Sequence, residues 1–135
     1  MFFLRFLAAI YRGMKSLSSG FYLNWGMIYA RWGQPTKAMY YLSRAAKLND
    51  TNPQIYYQRG LLFMAMGQPA SAIADFNFAI DSNPRNMEAY LNRSMMLTVV
   101  GKHEDALKDI DNAVELGADR SSLETEIAAL REQVG

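Results

Sequence analysis

Between residues 19 and 118 apolar and small residues return in one register every 34 positions, with polar residues filling the gaps in the same order each time. With copies opening at Ser19, Pro53 and Met87, the fourth position reads Tyr22, Tyr56 and Tyr90, and the eleventh Tyr29, Phe63 and Leu97. The eighth reads Gly26, Gly60 and Ser94, the twentieth Ala38, Ala72 and Ala106, the twenty-fourth Leu42, Phe76 and Ile110, and the twenty-seventh Ala45, Ala79 and Ala113. Steps of three, four and seven within each half-copy are those of the buried face of a helix. Each copy therefore predicts two helices. Small residues at the eighth, twentieth and twenty-seventh positions let the pair approach closely, where a larger side chain would overpack by about 1–3 kcal/mol. The fourth and eleventh positions put one large group per turn on the buried face of the first helix, each worth roughly 1.5–3 kcal/mol when fully buried.

The breaks between helices repeat as well. Gly33, Gly67 and Gly101 close the first helix of each pair, where a left-handed residue without a Cβ is favoured. In two copies the text is Gly-Gln-Pro, at 33–35 and 67–69, so a proline opens the second helix, where its missing N–H costs nothing. Pro53 and Pro84 mark the joints between hairpins. This pattern resembles the tetratricopeptide repeat family, over residues 19–118. The resemblance implies an all-α, right-handed α-solenoid of three helix-turn-helix repeats, 19–52, 53–86 and 87–118. A basic amphipathic helix over 1–18 precedes them and a capping helix over 119–135 follows. Trp25 and Arg59 stand where leucine is typical, Asp50 where proline is usual, and Gly117-Ala118 replaces the last joint.

For the end of the chain, Ser121 with Glu124 has capping-box spacing. Leu123, Ile127, Leu130 and Val134 then form an apolar stripe opposite Glu124, Glu126, Arg131 and Glu132. Such a helix covers the open end of a stack and keeps it soluble.

A stack of hairpins offers an extended binding surface and seldom a catalytic pocket. By the resemblance, the concave face is lined by the first helix of each repeat. Its fifth position gives Leu23, Tyr57 and Leu91, its sixth Asn24, Gln58 and Asn92, and its ninth Met27, Leu61 and Met95, with Met64 one turn on. Amides thus run between apolar rows, a lining suited to an amphipathic helix or an extended apolar segment whose backbone meets the amides. Relatives that hold the acidic tails of chaperones use lysine and asparagine at the fifth and ninth positions. Here Leu23 and Met27, or Tyr57 and Leu61, stand there, so the charge needed for a carboxylate is missing.

Charge distribution adds a second surface. Residues 1–49 hold seven basic and no acidic residues, whereas residues 50–135 hold seven basic and all thirteen acidic ones, giving +7 against −6 under a net charge of +1. Aromatics follow the same gradient, with 11 of 17 at or before Tyr41. Read as a helix, residues 1–18 place Phe3, Phe6, Leu7, Ile10, Met14 and Leu17 on one face and Arg5, Arg12 and Lys15 on another, while Phe2 and Leu4 lie off the stripe. The apolar run is too short to span a bilayer, which takes about 20 residues, and no convincing signal-cleavage site follows it. Three fates are open to this helix: packing on the first hairpin as a cap, lying in a membrane interface, or filling a groove of its own or a neighbouring chain. Phe2, Phe3, Arg5, Phe6, Arg12 and Lys15 are the candidate contacts to an anionic membrane or an acidic partner.

Nothing points to catalysis, a cofactor or a metal. The one histidine, His103, stands beside Glu104 and Asp105 at a helix start, without the convergent ligands a metal requires. Cysteine is absent, excluding disulfides and thiolate chemistry. Asn49-Asp50-Thr51 and Asn92-Arg93-Ser94 match the glycosylation triplet without a secretory signal. A nearly neutral chain with few basic groups in its groove lacks a nucleic-acid footprint. The expectation is a non-catalytic interaction module, an adaptor or assembly factor that takes an apolar or amphipathic protein segment. It would be cytoplasmic, and peripheral to a membrane if residues 1–18 bind one. The alternative is a self-associating scaffold whose groove its own N-terminal helix fills.

Overall fold

Seven helices follow one another without a strand, and the computed structural model describes all of residues 1–135. They are α1 (Phe2–Arg31), α2 (Pro35–Leu48), α3 (Pro53–Ala65), α4 (Pro69–Ser82), α5 (Met87–Val99), α6 (His103–Glu115) and α7 (Arg120–Val134). Hairpins α1–α2, α3–α4 and α5–α6 stack in chain order, and α7 packs on α5 and α6. The first helices of the hairpins touch in sequence, α1 to α3 and α3 to α5, whereas α2, α4 and α6 do not touch one another. The first helices therefore line the inner, concave side of the solenoid and the second helices splay on the outside.

Each hairpin turns at a glycine in the left-handed region, with φ of 68°, 69° and 81° at Gly33, Gly67 and Gly101. Beyond each glycine an amide reaches back over the turn: the N–H groups of Gln34, Gln68 and Lys102 donate to the carbonyls of Tyr29, Phe63 and Leu97 at 2.8–2.9 Å. Those carbonyls would otherwise be orphans of the helix end. Pro35 and Pro69 open α2 and α4, and the side chains of Asn52 and Asn86 cap α3 and α5.

Close approach inside the hairpins rests on the small residues. A Cβ at Gly26 would sit 2.7 Å from the Leu42 side chain, and one at Gly60 2.7 Å from the Phe76 ring. The alanines at the twentieth and twenty-seventh positions are fully buried, as are Leu42, Phe76 and Ile110 between them. Ile55 and Leu62 of α3 bury against α2, and Ala89 and Met96 of α5 against α4, joining one hairpin to the next. Burial at the fourth and eleventh positions grows along the stack: Tyr90 and Leu97 are buried, while Tyr22, Tyr29, Tyr56 and Phe63 are half-buried.

Three expectations are corrected. Residues 1–18 form no separate element. They run straight into the first repeat as one helix of 30 residues, about 45 Å long at 1.5 Å per residue. No proline occurs before Pro35, and isolated glycines at 13 and 20 weaken a helix by only about 1 kcal/mol each. Being rigidly continuous with a helix already packed on α2, this segment overhangs the stack. It neither caps the first hairpin nor enters the groove of its own chain, and residues 1–14 are exposed throughout. At the other end, Asp119 rather than Ser121 caps α7. Its carboxylate accepts from the Ser122 N–H at 2.9 Å and from the Ser121 and Ser122 hydroxyls. These bonds, the Ser122 hydroxyl foremost, hold the Asp119 pKa below the usual carboxylate value. Finally, Arg131 leaves the water face: its Nε and Nη2 are enclosed without a partner, whereas Glu124, Glu126 and Glu132 are exposed as expected. Ile127 is the one buried residue of the α7 stripe, with Leu123 and Leu130 half-buried and Val134 exposed.

Candidate functional site

Because side chains three and four apart share a helix face, the inner surface is built from α1, α3 and α5 in parallel registers. Between α1 and α3 lies an open cavity of about 330 Å³, lined by Met27, Ala30, Arg31, Gln58, Leu61, Leu62 and Ala65. It brings together three residues singled out in the sequence, Met27, Gln58 and Leu61. One step further, the Asn92 side-chain amide donates to the Tyr57 hydroxyl at 3.3 Å, tying α5 to α3. Burial, and then the negative charge of Glu88, push the Tyr57 phenol pKa above its usual value, partly countered by the Asn92 bond. Leu61, Met64 and Met95 pack half-buried against the cluster of Ala72, Phe76 and Met96, and Leu91 against that of Ile80 and Ala89.

The arrangement offers a largely apolar trough with amide and phenol groups along it, and Arg31 is the one charged side chain lining its cavity at the α1 edge. Leu23 is half-buried like Tyr57 and Leu91, packing against the cluster of Leu42 and Leu62 and that of Ile55, and Asn24 is exposed. Met27, Gln58 and Leu61 share the cavity, Tyr57, Leu61, Met64 and Met95 pack on one cluster, and Tyr57 links on to Leu91 and Asn92. Phe2, Phe3, Arg5, Phe6, Arg12 and Lys15 lie apart from it on the overhanging half of α1. No helix is long and apolar enough to cross a membrane.

Pairing across each hairpin escapes a residue-by-residue reading. Arg59 makes a two-pronged ion pair with Asp75, at 2.7 and 2.8 Å, and Arg93 one with Asp109, at 2.8 and 2.6 Å. Each joins the seventh to the twenty-third position of a repeat. Hydrogen bonding to its carboxylate raises both guanidinium pKa values above the usual arginine value. In the first repeat the same two positions hold Trp25 and Tyr41, whose rings lie 6.4 Å apart in a cluster with Tyr22 and Tyr29. The signal in the sequence was the joint change of both positions, sixteen residues apart.

The remaining motifs resolve locally. His103 is exposed at the first position of α6, and no group of three or more His, Asp or Glu side chains converges. Asn49 accepts from the Thr51 N–H and hydroxyl in the turn after α2, and Asn92 lies within α5.

Residues 57–122 match one family model described as tetratricopeptide repeat, and residues 19–52 match a second of the same description. No curated protein matches the sequence. Among solved structures, the first TPR of Spaghetti (RPAP3) bound to the HSP90 peptide SRMEEVD is similar at 21% identity, covering 88% of this chain and 94% of that one, with a TM-score of 0.78. The Arabidopsis OM64 TPR domain matches at 23% identity, covering 88% and 98%, also with a TM-score of 0.78. The TPR2B domain of yeast Sti1 in its pHsp70 complex matches at 21%, covering 88% and 97%, with a TM-score of 0.73. At these identities the likeness speaks for the fold.

Proposed function

The chain belongs to the tetratricopeptide repeat family, a family of protein-interaction scaffolds, and from that premise we propose that its concave trough takes an apolar or amphipathic segment of a partner protein. The observation that carries this reading is the cavity between α1 and α3, where Met27 and Leu61 face an opening with Gln58 beside them. Apolar side chains of a ligand fill such a trough while its backbone meets the amides of Gln58 and Asn92 and the Tyr57 hydroxyl. Similar domains solved in chaperone complexes, one with the HSP90 peptide SRMEEVD and one with pHsp70, support a peptide as the class of ligand. An acidic tail fits poorly, because Leu23, Met27, Tyr57 and Leu61 occupy the positions where a cation would pair with it. The overhanging half of α1 is left to a separate contact. Its composition suits an anionic membrane surface, although its spacing suits a helix more closely.

Fluorescence anisotropy with two labelled peptides tests the trough, one a neutral amphipathic helix and the other SRMEEVD. The amphipathic peptide should bind the more tightly. Leu61→Glu should weaken it by at least about tenfold, equivalent to about 1.4 kcal/mol, with helicity unchanged. Binding untouched by both Leu61→Glu and Met27→Glu would sink the reading.

A further inference from the structure

The end of the solenoid at α1 is open, and the residues there show what it would accept. Phe21 and Ile28 hold the places that Ile55 and Leu62 hold on α3, and Ala89 and Met96 on α5. Those four are buried against the preceding helix, whereas Phe21 is 57% exposed. The open face then continues along the overhang. Phe3, Leu7, Ile10, Met14, Leu17 and Phe21 follow one another at alternating steps of four and three, all of them 45% or more exposed. That alternation is the seam of a coiled coil, three heptads long.

We propose that this seam is covered by the same seam of a second copy of the chain, the two α1 helices lying antiparallel about a two-fold axis near Arg12. The seam reads Phe-Leu-Ile-Met-Leu-Phe, symmetric but for the apolar central pair Ile10 and Met14, a symmetry that a partner of unrelated sequence would not require. Phe3 faces the partner's Phe21, Leu7 the partner's Leu17 and Ile10 the partner's Met14, so every layer joins the two alternating positions of the heptad. The flanks pair large with small: Phe6 falls over the partner's Gly20, and Leu4 over the partner's Ser18. Arg5, Arg12 and Lys15 lie outside the seam, so two chains that are both positive at this end meet without opposing charges.

Gly13 and Gly20 supply an independent observation. Both stand inside a long helix, where glycine is unfavourable, and a Cβ added at either meets nothing within 4 Å. Gly26 and Gly60, by contrast, are each demanded by a side chain 2.7 Å away in the same chain. In the antiparallel pair Gly13 meets the partner's Gly13 on the two-fold axis and Gly20 receives the partner's Phe6, so a close approach accounts for both. A bilayer makes no such demand for glycine. The two stacks then project from opposite ends of the helix pair, with their concave troughs free.

Sedimentation equilibrium on the full chain should show a monomer–dimer equilibrium at micromolar concentration. Gly13→Leu should weaken dimerisation by at least about tenfold while raising helicity. Ile10→Lys, at a position exposed in the single chain, should give a folded monomer. The absence of cysteine lets disulfide trapping report the direction of pairing: Leu7→Cys mixed with Leu17→Cys should cross-link, and Leu17→Cys alone should not. A chain that stays monomeric, a dimer indifferent to Gly13→Leu, or trapping of Leu17→Cys with itself would each overturn the proposal. Co-sedimentation with anionic vesicles of a monomeric chain, lost with Ile10→Lys, would overturn it in favour of a membrane surface.

Discussion

The first hairpin and the two that follow share a backbone plan and close it by opposite means. In the second and third, Arg59–Asp75 and Arg93–Asp109 bind the two helices through charge, with both aspartates buried. In the first, Trp25 meets Tyr41 among Tyr22 and Tyr29, with Lys37 5.2 Å from the Tyr29 ring centre and Arg44 5.5 Å from that of Tyr22. The fold asks only that the gap between the seventh and twenty-third positions be filled. A paired charge does so when it is fully hydrogen-bonded, and stacked rings do so without desolvating ions. Since residues 1–49 contain no acidic side chain, the first hairpin has no carboxylate with which to close an ion pair. Its surface is left basic and aromatic, whereas residues 50–135, with seven basic and thirteen acidic residues, are net negative.

Removing one half of an ion pair should break this comparison most sharply. Asp109→Ala strands Arg93, whose other hydrogen bond is to the Asn77 side-chain oxygen at 2.8 Å, and should lower unfolding stability by about 3 kcal/mol in urea denaturation. Trp25→Ala should cost less, roughly 2 kcal/mol, since the ring is only half-buried and leaves no charge behind. Moving the aromatic solution into the second hairpin, Arg59→Trp with Asp75→Tyr, should change stability by no more than about 1 kcal/mol if the two closures are equivalent, whereas Asp75→Tyr alone should be much worse. The smallest effect belongs to the far end. The Asp119 pKa is lowered in the folded chain, so what its cap adds is complete above the ordinary aspartate value of about 3.9 and lost as pH falls through the lowered one. Acidification should therefore loosen α7 before the hairpins, read as faster amide exchange in residues 120–134, and Asp119→Asn should make that exchange less dependent on pH.

The hairpins were legible because their constraints are local. A glycine with positive φ, a proline at the first turn of a helix and a small residue facing a large one each leave a signature at fixed spacing. The trough was legible only in part, and through the resemblance. Met27, Gln58 and Leu61 line one cavity, while Leu23 packs half-buried against the clusters of Leu42, Leu62 and Ile55. The capping of α7 was misread for a local reason, since Asp119, two residues before Ser121, is itself a strong N-cap acceptor and starts the helix earlier, taking the Ser122 N–H.

Periodicity, turn residues and the small-to-large pairing determined by themselves that this chain is a stack of three helical hairpins, since each acts within one hairpin and needs no distant partner. The tertiary structure alone decided what joins positions far apart. It matched arginine to aspartate across sixteen residues, enclosed Arg131, and carried α1 past the end of the stack as one rigid rod. An amphipathic stripe states that a face will be covered, but which surface covers it depends on where the rest of the chain has already packed.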